Sequence, residues 1–232
     1  MTLNSIAFIP DGNRRFAKSS KQSLATAYSA GTTKALEVID WLQDFNEIKA
    51  GTFYTLSLEN LQRNKAELAI LFKLFGQELK KIQETNFFND RDIRLKFIGR
   101  LDLLPEKIQL LARQAEELTQ DNKSKTIYLA LAYNGQQEII DACKKIARKY
   151  ANNGLKLKDI DLSLFSQYLY SQAPFPDLII RTSGAERLSA FLTFQSAYSE
   201  LCFVDKYWPE LTKKDLANAV QEYHARERRF GR

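Results

Sequence analysis

The stretch Asp177–Glu200, DLIIRTSGAERLSAFLTFQSAYSE, sets an apolar run directly before a polar loop. Leu178-Ile179-Ile180 reads as a strand. It delivers Arg181 to its carboxyl end, and Thr182-Ser183-Gly184 adds two hydroxyls and a tight backbone. Arg187 and Ser189 stand six and eight residues after Arg181. Guanidinium forks match phosphate oxygens bidentately, a geometry lysine lacks. The loop therefore reads as a phosphate holder, against the plainer alternative of a surface turn with solvated arginines.

A second segment repeats the layout. Ile6-Ala7-Phe8-Ile9 reads as a short buried strand that stops at Pro10, before Asp11-Gly12-Asn13-Arg14-Arg15-Phe16-Ala17-Lys18. Strand, turn and basic helix start form an anion site, because backbone amides at a helix N-terminus attract phosphate and Gly12 permits close approach. Asp11 would repel that ligand unless a cation lay between them. It reads either as a Mg²⁺ ligand that shares the ion with phosphate oxygens and water, or as a helix cap.

Working outward, strand-like and helix-like segments alternate, the signature of an α/β fold with a largely parallel sheet. Six strands are expected near residues 5–9, 51–57, 93–98, 126–133, 177–181 and 199–204. Helices are expected near 22–44, 65–85, 105–120, 135–151, 160–170 and 212–229. No Pro/Gly/Ser-rich linker divides residues 1–232, so one domain is expected. In open parallel sheets ligands gather beyond the carboxyl ends of strands, where Asp11, Ser57 and Arg181 all fall. The segment 66–82 carries Leu68, Leu71, Phe72, Phe75, Leu79 and Ile82 on one helical stripe and Ile70 and Leu74 on another. Periodicity alone makes it a core helix.

Composition narrows the chemistry. The chain has a single histidine, His224, which argues against a His-ligated metal centre, a Ser-His-Asp triad and a histidine base. Cys143 and Cys202 lack a CxxC spacing and are expected as buried free thiols. No apolar run approaches the ~20 residues of a membrane span and no secretory signal is evident, so a cytoplasmic protein is expected. Lys plus Arg number 34 against 28 Asp plus Glu, a net charge of +6 that suits polyanions or membrane surfaces. Nucleic acid is a distant alternative partner: the arginines sit in strand-end loops rather than along one helix face.

Five ordered blocks together resemble the cis-prenyltransferase family, that of undecaprenyl diphosphate synthase. They are IAFIPDGNRRFAK at 6–18, FYTLSLENLQR at 53–63, DLIIRTSGAERLSAFLTFQSAYSEL at 177–201, YWP at 207–209 and RERRFG at 226–231. The resemblance runs over nearly the whole chain. It implies a six-stranded α/β fold with an apolar tunnel, and Mg²⁺-dependent condensation of isopentenyl diphosphate with an allylic diphosphate to give a Z double bond. It further implies catalytic roles for Asp11, Asn13, Ser57 and Asn60. Gly12, Arg14, Arg15, Phe16, Tyr28, Glu59, Arg63, Arg181, Arg187, Ser189 and Arg229 would bind substrate, and Asp11 and Glu200 would serve the metal, Glu200 near a dimer contact. One face of helix 66–82 would line the tunnel, with Ala69 as a position where a larger side chain shortens the product.

The chain also departs from the family pattern. Tyr28 stands where many members have a histidine, Leu61 replaces an aromatic, Ala185 a glutamate and Ala190 an asparagine. A partner-dependent or non-catalytic subunit is the alternative within the family. An accessory chain would lose the aspartate at position 11, and a partner-dependent one would lack the terminal Arg229-Phe230-Gly231. Both are present, which favours a homodimer, with peripheral membrane contact for product release.

Overall fold

The computed structural model describes residues 2–226. Six strands, β1 (Ser5–Ile9), β2 (Ala50–Ser57), β3 (Ile93–Ile98), β4 (Lys125–Tyr133), β5 (Leu178–Thr182) and β6 (Glu200–Val204), form one sheet. Their order is β3-β4-β2-β1-β5-β6, and all five pairings are parallel. Every expected strand lies within two residues of its place. The helices are α1 (Asn13–Ser19), α2 (Leu24–Trp41), α3 (Lys65–Glu84), α4 (Glu106–Leu118), α5 (Gly135–Ala151), α6 (Leu162–Gln167) and α7 (Lys213–Ala225).

Helix ends follow local chemistry. Ser23, Asn64, Asn134, Asp161 and Thr212 each accept a first-turn amide through the side chain, so α2, α3, α5, α6 and α7 start where these residues stand. The helix expected over 160–170 is reduced to α6. Past its end the Tyr170 amide donates to the buried Glu138 carboxylate at 2.8 Å instead of continuing the helix. The helix expected to 229 ends at Ala225; residues 227–232, with Arg229, lie outside those described.

Alternate strand residues feed two cores, one on each face of the sheet. Ile6, Phe8, Leu178 and Ile180 join the larger core with α2, α3, α4, α7 and Trp208, while Ala7, Ile9 and Ile179 join a smaller one with Tyr133 and Phe191. The larger core is braced by aromatics. Phe8 stacks on Phe53 with centroids 4.8 Å apart, and Trp208 packs edge-on against Phe53. Both cysteines are free, yet Cys143 is exposed on α5 and Cys202 only half-buried, contrary to the expectation of buried thiols. Cys143 follows the buried Ala142 on the helix and so turns outward. Among the described residues no helix is long and apolar enough to cross a membrane.

After β1 the chain goes to β2 on one side, and after β5 to β6 on the other. Because β1 and β5 are neighbours, their diverging loops leave a crevice at the carboxyl edge, the switch point at which such sheets bind ligands.

One glycine tests the sheet edge. Gly99, just after β3, has φ +120°, and a Cβ there would stand 2.0 Å from the Leu131 carbonyl oxygen. Gly99→Ala should cost about 3 kcal/mol through clash and backbone strain, read as a lower midpoint in denaturant unfolding.

Candidate active site

The crevice between β1 and β5 is built around Asp11 and Arg181. Arg181 is 4% exposed, and its Nη2 donates to Asp11 Oδ2 at 2.8 Å while its Nη1 donates to Ser189 Oγ at 2.9 Å and to the Arg187 carbonyl. Arg15 approaches the same carboxylate oxygen at 3.4 Å and donates to both the carbonyl and the hydroxyl of Ser183. Burial alone would raise the Asp11 carboxyl. The hydrogen bond and charge of Arg181, with help from Ser183 and the Gly12 amide, outweigh it and hold the group below its ordinary value. Asp11 is therefore ionised at neutral pH.

Asp11 is not the cap of α1. The N-cap is Gly12, at φ 102°, and no side chain caps the helix, which leaves its first amides to other partners. Gly12 is required twice over: its backbone is left-handed, and a Cβ would meet Tyr207 Cδ1 at 2.7 Å. The YWP block explains itself here. The Trp208 amide donates to the Asp11 carbonyl at 3.0 Å, Trp208 Nε1 donates to the Gly31 carbonyl at 2.7 Å, and Tyr207 lies under Arg15.

The loop after β5 is held in sparsely populated backbone conformations. Ser183, Ser189, Ala190 and Leu192 all have positive φ, as does Gly184. Tyr54 of β2 stacks on Phe191, and its hydroxyl donates toward the Ser189 carbonyl at 3.3 Å. Gly135 at the start of α5 donates its amide to the Ala190 carbonyl at 2.7 Å. Strand and helix together thus fix the loop that carries Arg187 and Ser189.

Opposite, three expected residues, Arg14, Tyr28 and Arg63, gather on one that the sequence did not announce, Glu67. Glu67, on the first turn of α3 and 3% exposed, accepts from Tyr28 Oη at 2.6 Å and from Arg63 Nη1 at 3.0 Å, with Arg14 Nε at 3.8 Å. Arg63 also donates to the Tyr28 hydroxyl at 2.9 Å. Burial first, then the bond to Glu67, pushes the Tyr28 phenol up to about 12. Its proton is committed to Glu67, so Tyr28 positions Arg63 rather than offering a free donor in place of a histidine. The Asn64-x-x-Glu67 spacing reads as a helix start, and Asn64 indeed accepts the Glu67 amide at 2.9 Å; nothing local marks the carboxylate as buried.

Ser57 and Asn60 are paired reciprocally after β2: the Asn60 amide donates to Ser57 Oγ at 3.2 Å and the Ser57 amide to Asn60 Oδ1 at 3.3 Å. The Glu59 carboxylate accepts from Asn134 Nδ2.

One cavity of about 1360 Å³ joins these groups. Asp11, Gly12, Asn13, Arg14, Arg15, Tyr28, Ser57, Glu59, Asn60, Arg63, Arg181, Arg187 and Ser189 all line it. Much of its remaining wall is apolar, with Leu36, Ile39, Leu71, Leu74, Phe75, Phe97 and Leu131, and Glu78, Lys81 and Thr85 also touch it. Two buried polar atoms at its charged end, Asn13 Oδ1 and Arg181 Nε, have no hydrogen-bond partner. Such atoms are costly unless a ligand completes them.

Three expected residues are placed elsewhere. Phe16 is half-buried on α1 but outside the cavity lining. Glu200 pairs with Leu178, which pairs with Ile6, so it stands at the far end of the strands from Asp11; its carboxylate accepts from Arg226 at 2.7 Å. One chain alone does not bring the two carboxylates together, because parallel strands put their starts and ends on opposite edges. Ala69 is exposed on α3 and absent from the cavity wall, which Leu71, Leu74, Phe75 and Leu79 form instead.

This arrangement can hold two anionic groups side by side at the mouth of an apolar cavity. A protein-family model described as "Putative undecaprenyl diphosphate synthase" matches residues 9–231. A tritrans,polycis-undecaprenyl-diphosphate synthase (geranylgeranyl-diphosphate specific) of Methanopyrus kandleri is 44% identical over 228 residues, 98% of this chain and 84% of the relative. An enzyme of the same name from Pyrobaculum aerophilum is 40% identical over 230 residues, 98% of this chain and 95% of its own. The crystal structure of lavandulyl diphosphate synthase from Lavandula x intermedia, in complex with dimethylallyl diphosphate, superposes with a TM-score of 0.94 at 33% identity, covering 100% of this chain and 99% of that one. The strand-end loops, the cluster of arginines at the cavity and the extent of these matches lead to one conclusion: the chain belongs to the undecaprenyl diphosphate synthase family of cis-prenyltransferases.

Proposed function

We propose that this cis-prenyltransferase extends an allylic primer of geranylgeranyl size to a long Z-polyprenyl diphosphate, as a Mg²⁺-dependent homodimer. The observation that carries the reading is the cavity. At about 1360 Å³ it exceeds the range of roughly 300 to 1,000 Å³ usual for small-molecule pockets, and beyond a cationic mouth its wall is mostly apolar. Room for a long isoprenoid agrees with the primer specificity printed in the names of the two archaeal relatives.

In this reading the primer's diphosphate lies against α1, Arg15 and Arg63, and isopentenyl diphosphate is gripped by Arg181, Arg187 and Ser189. The primer's C–O bond breaks with its electron pair leaving on diphosphate, and preplaced guanidinium groups meet the growing charge without reorganising. Carbon 4 of the isopentenyl group bonds to the allylic carbon. Loss of a proton from its C2 then leaves those electrons as the new Z double bond. The proton goes to Asp11 or to a diphosphate oxygen, directly or by a relay through Ser57 and Asn60. Holding the two carbons together supplies much of the rate.

Mg²⁺ usually binds one or two carboxylates together with phosphate oxygens. Asp11, ionised and beside the diphosphate cations, fits that donor set, and the ion bound there would neutralise charge on the departing diphosphate. Glu200 could join Asp11 only from a second subunit. Leu162, Phe175 and Tyr198, 76%, 45% and 75% exposed, border a hollow near α6 and provide an apolar face for such a dimer. The same reading places the enzyme in the cytoplasm, touching the membrane surface that receives its lipid.

Labelled isopentenyl diphosphate, Mg²⁺ and primers of increasing length test the proposal, with product length and double-bond geometry read directly. Z-polyprenyl products formed best from geranylgeranyl diphosphate are expected. A branched product confined to dimethylallyl diphosphate would replace this reading with the lavandulyl type of condensation.

Two substitutions probe the roles. Asp11→Asn keeps an acceptor for Arg181 but removes the charge, so the protein should still fold with lowered stability while losing turnover. Activity within about tenfold of wild type, roughly 1.4 kcal/mol of barrier, would count against a metal role. Arg187→Ala removes an exposed arginine and should weaken isopentenyl diphosphate by about 1.5 to 3 kcal/mol with the primer less affected; steady-state titration showing the reverse would exchange the two diphosphate sites.

A further inference from the structure

We propose that the end of α5 and the turn after it, residues 142–160, form the surface by which this protein docks on a bilayer that contains anionic lipid. The proposal rests on the reading above, which sends a lipid product to a membrane, and it names the face that meets it.

Charge is the first observation. From Ala142 to Lys158 six bases, Lys144, Lys145, Arg148, Lys149, Lys156 and Lys158, stand without one acid. On α5 Lys144 and Arg148 share one face and Lys145 and Lys149 another, and like charges four residues apart weaken a helix. The negative C-terminal end of the helix offsets part of that cost for Arg148 and Lys149. Lys145 and Lys149 also lie over the rings of Tyr170 and Tyr168, at 5.7 and 5.8 Å from the centroids. Lys156 and Lys158 stand beyond the helix, where its dipole no longer acts. The cluster as a whole calls for an anion from outside.

The second observation is the apolar tip among these cations. Residues 147–154 and 156–163 are all exposed, so this segment projects from the body of the protein. Leu157 opens a single 3-10 turn, Leu157–Asp159, and is 66% exposed between Lys156 and Lys158. The Ile160 amide donates to the Leu157 carbonyl at 3.1 Å, which holds a second exposed aliphatic residue on the same turn. Tyr150, also exposed, ends the last turn of α5 nearby. The acids that follow, Asp159 and Asp161, stand at the start of α6, where Asp161 accepts the Leu164 amide at 2.8 Å. A lipid interface answers both kinds of residue at once: aliphatic side chains enter the acyl boundary, tyrosine sits at the headgroup level and ammonium groups reach lipid phosphates. A nucleic acid would answer the lysines and leave Leu157 in water.

The position of the surface suits the chemistry. The cap of α5, Asn134, donates to Glu59 at the cavity, and 17 residues at 1.5 Å of rise carry the far end of the helix about 25 Å away. A bilayer held there leaves the charged mouth open to water.

Sedimentation of the full chain with vesicles tests the surface without turnover. Vesicles of phosphatidylglycerol and phosphatidylcholine in equal parts should bind about tenfold more tightly than phosphatidylcholine alone, and added salt should reduce the difference. Lys156→Gln and Lys158→Gln should each weaken binding about fivefold, and Leu157→Ser about tenfold. None of the three positions lines the cavity, so condensation in detergent should stay within about twofold of wild type. Leu157→Trp should add a fluorescence that brominated acyl chains quench. Equal binding to neutral and anionic vesicles, full binding by Leu157→Ser, or an unquenched Leu157→Trp overturns the proposal. Polyprenyl product from an enzyme that leaves vesicles untouched overturns the surface alone. Vesicle binding through these residues by a protein that makes no polyprenyl product supports the surface and overturns the reading beneath it.

Discussion

The ion pair between Arg181 and Asp11 is the constraint on which the rest of the site depends. It joins the carboxyl ends of two neighbouring strands whose loops diverge, and it does so from a guanidinium almost wholly removed from water. Leaving such a cation unpaired is costly, so the loop after β1 and the loop after β5 are fixed relative to each other before any substrate arrives. The other contacts follow from that fixation. Ser189 and the Arg187 carbonyl complete the Arg181 fork, Ser183 meets Arg15, and Trp208 closes the Asp11 backbone from behind. Arg15, Arg181 and Arg187 thus stand at one end of the cavity as cations that the fold has already set in place.

The second side of the site is organised by a buried acid. Glu67 draws Arg63 and Tyr28 together and stands near Arg14, so the arginines on this side of the cavity are oriented by one carboxylate from α3. This couples the helix that walls the apolar cavity to the charged mouth. Because the cap of α3 is Asn64, adjacent to Arg63, the start of that helix and the position of the arginine are set by the same turn.

Much of this was legible in the sequence, for identifiable reasons. Continuous apolar runs at 5–9 and 178–180 specify strands buried on both faces, and their polar ends must emerge at one edge of a parallel sheet. Asp11, Ser57 and Arg181 could therefore be assembled before any coordinates. What escaped was information carried by packing. Glu67 occupies a position that also suits a helix start, so its burial depends on α2 lying across it. Ala69 and Leu74 are both small or apolar positions of one helix, and only the tilt of α3 against the sheet decides which meets the cavity. Tyr28 stands at the family's histidine position, but where its hydroxyl proton goes is decided by Glu67, 39 residues away. Glu200 sits at the start of a strand, and its distance from Asp11 is a matter of strand direction rather than spacing.

The left-handed residues Ser183, Ser189, Ala190 and Leu192 carry a consequence for how this enzyme can evolve. Each non-glycine residue in that region costs roughly 1 kcal/mol or more, and all four lie within ten positions of one loop. Replacing them with glycine would relieve the strain, yet it would also free the loop to wander and blur the placement of Arg187 and Ser189. Gains in thermal robustness are thus more accessible on the far side of the sheet than in the loop itself, and selection for heat resistance should leave this costly turn untouched.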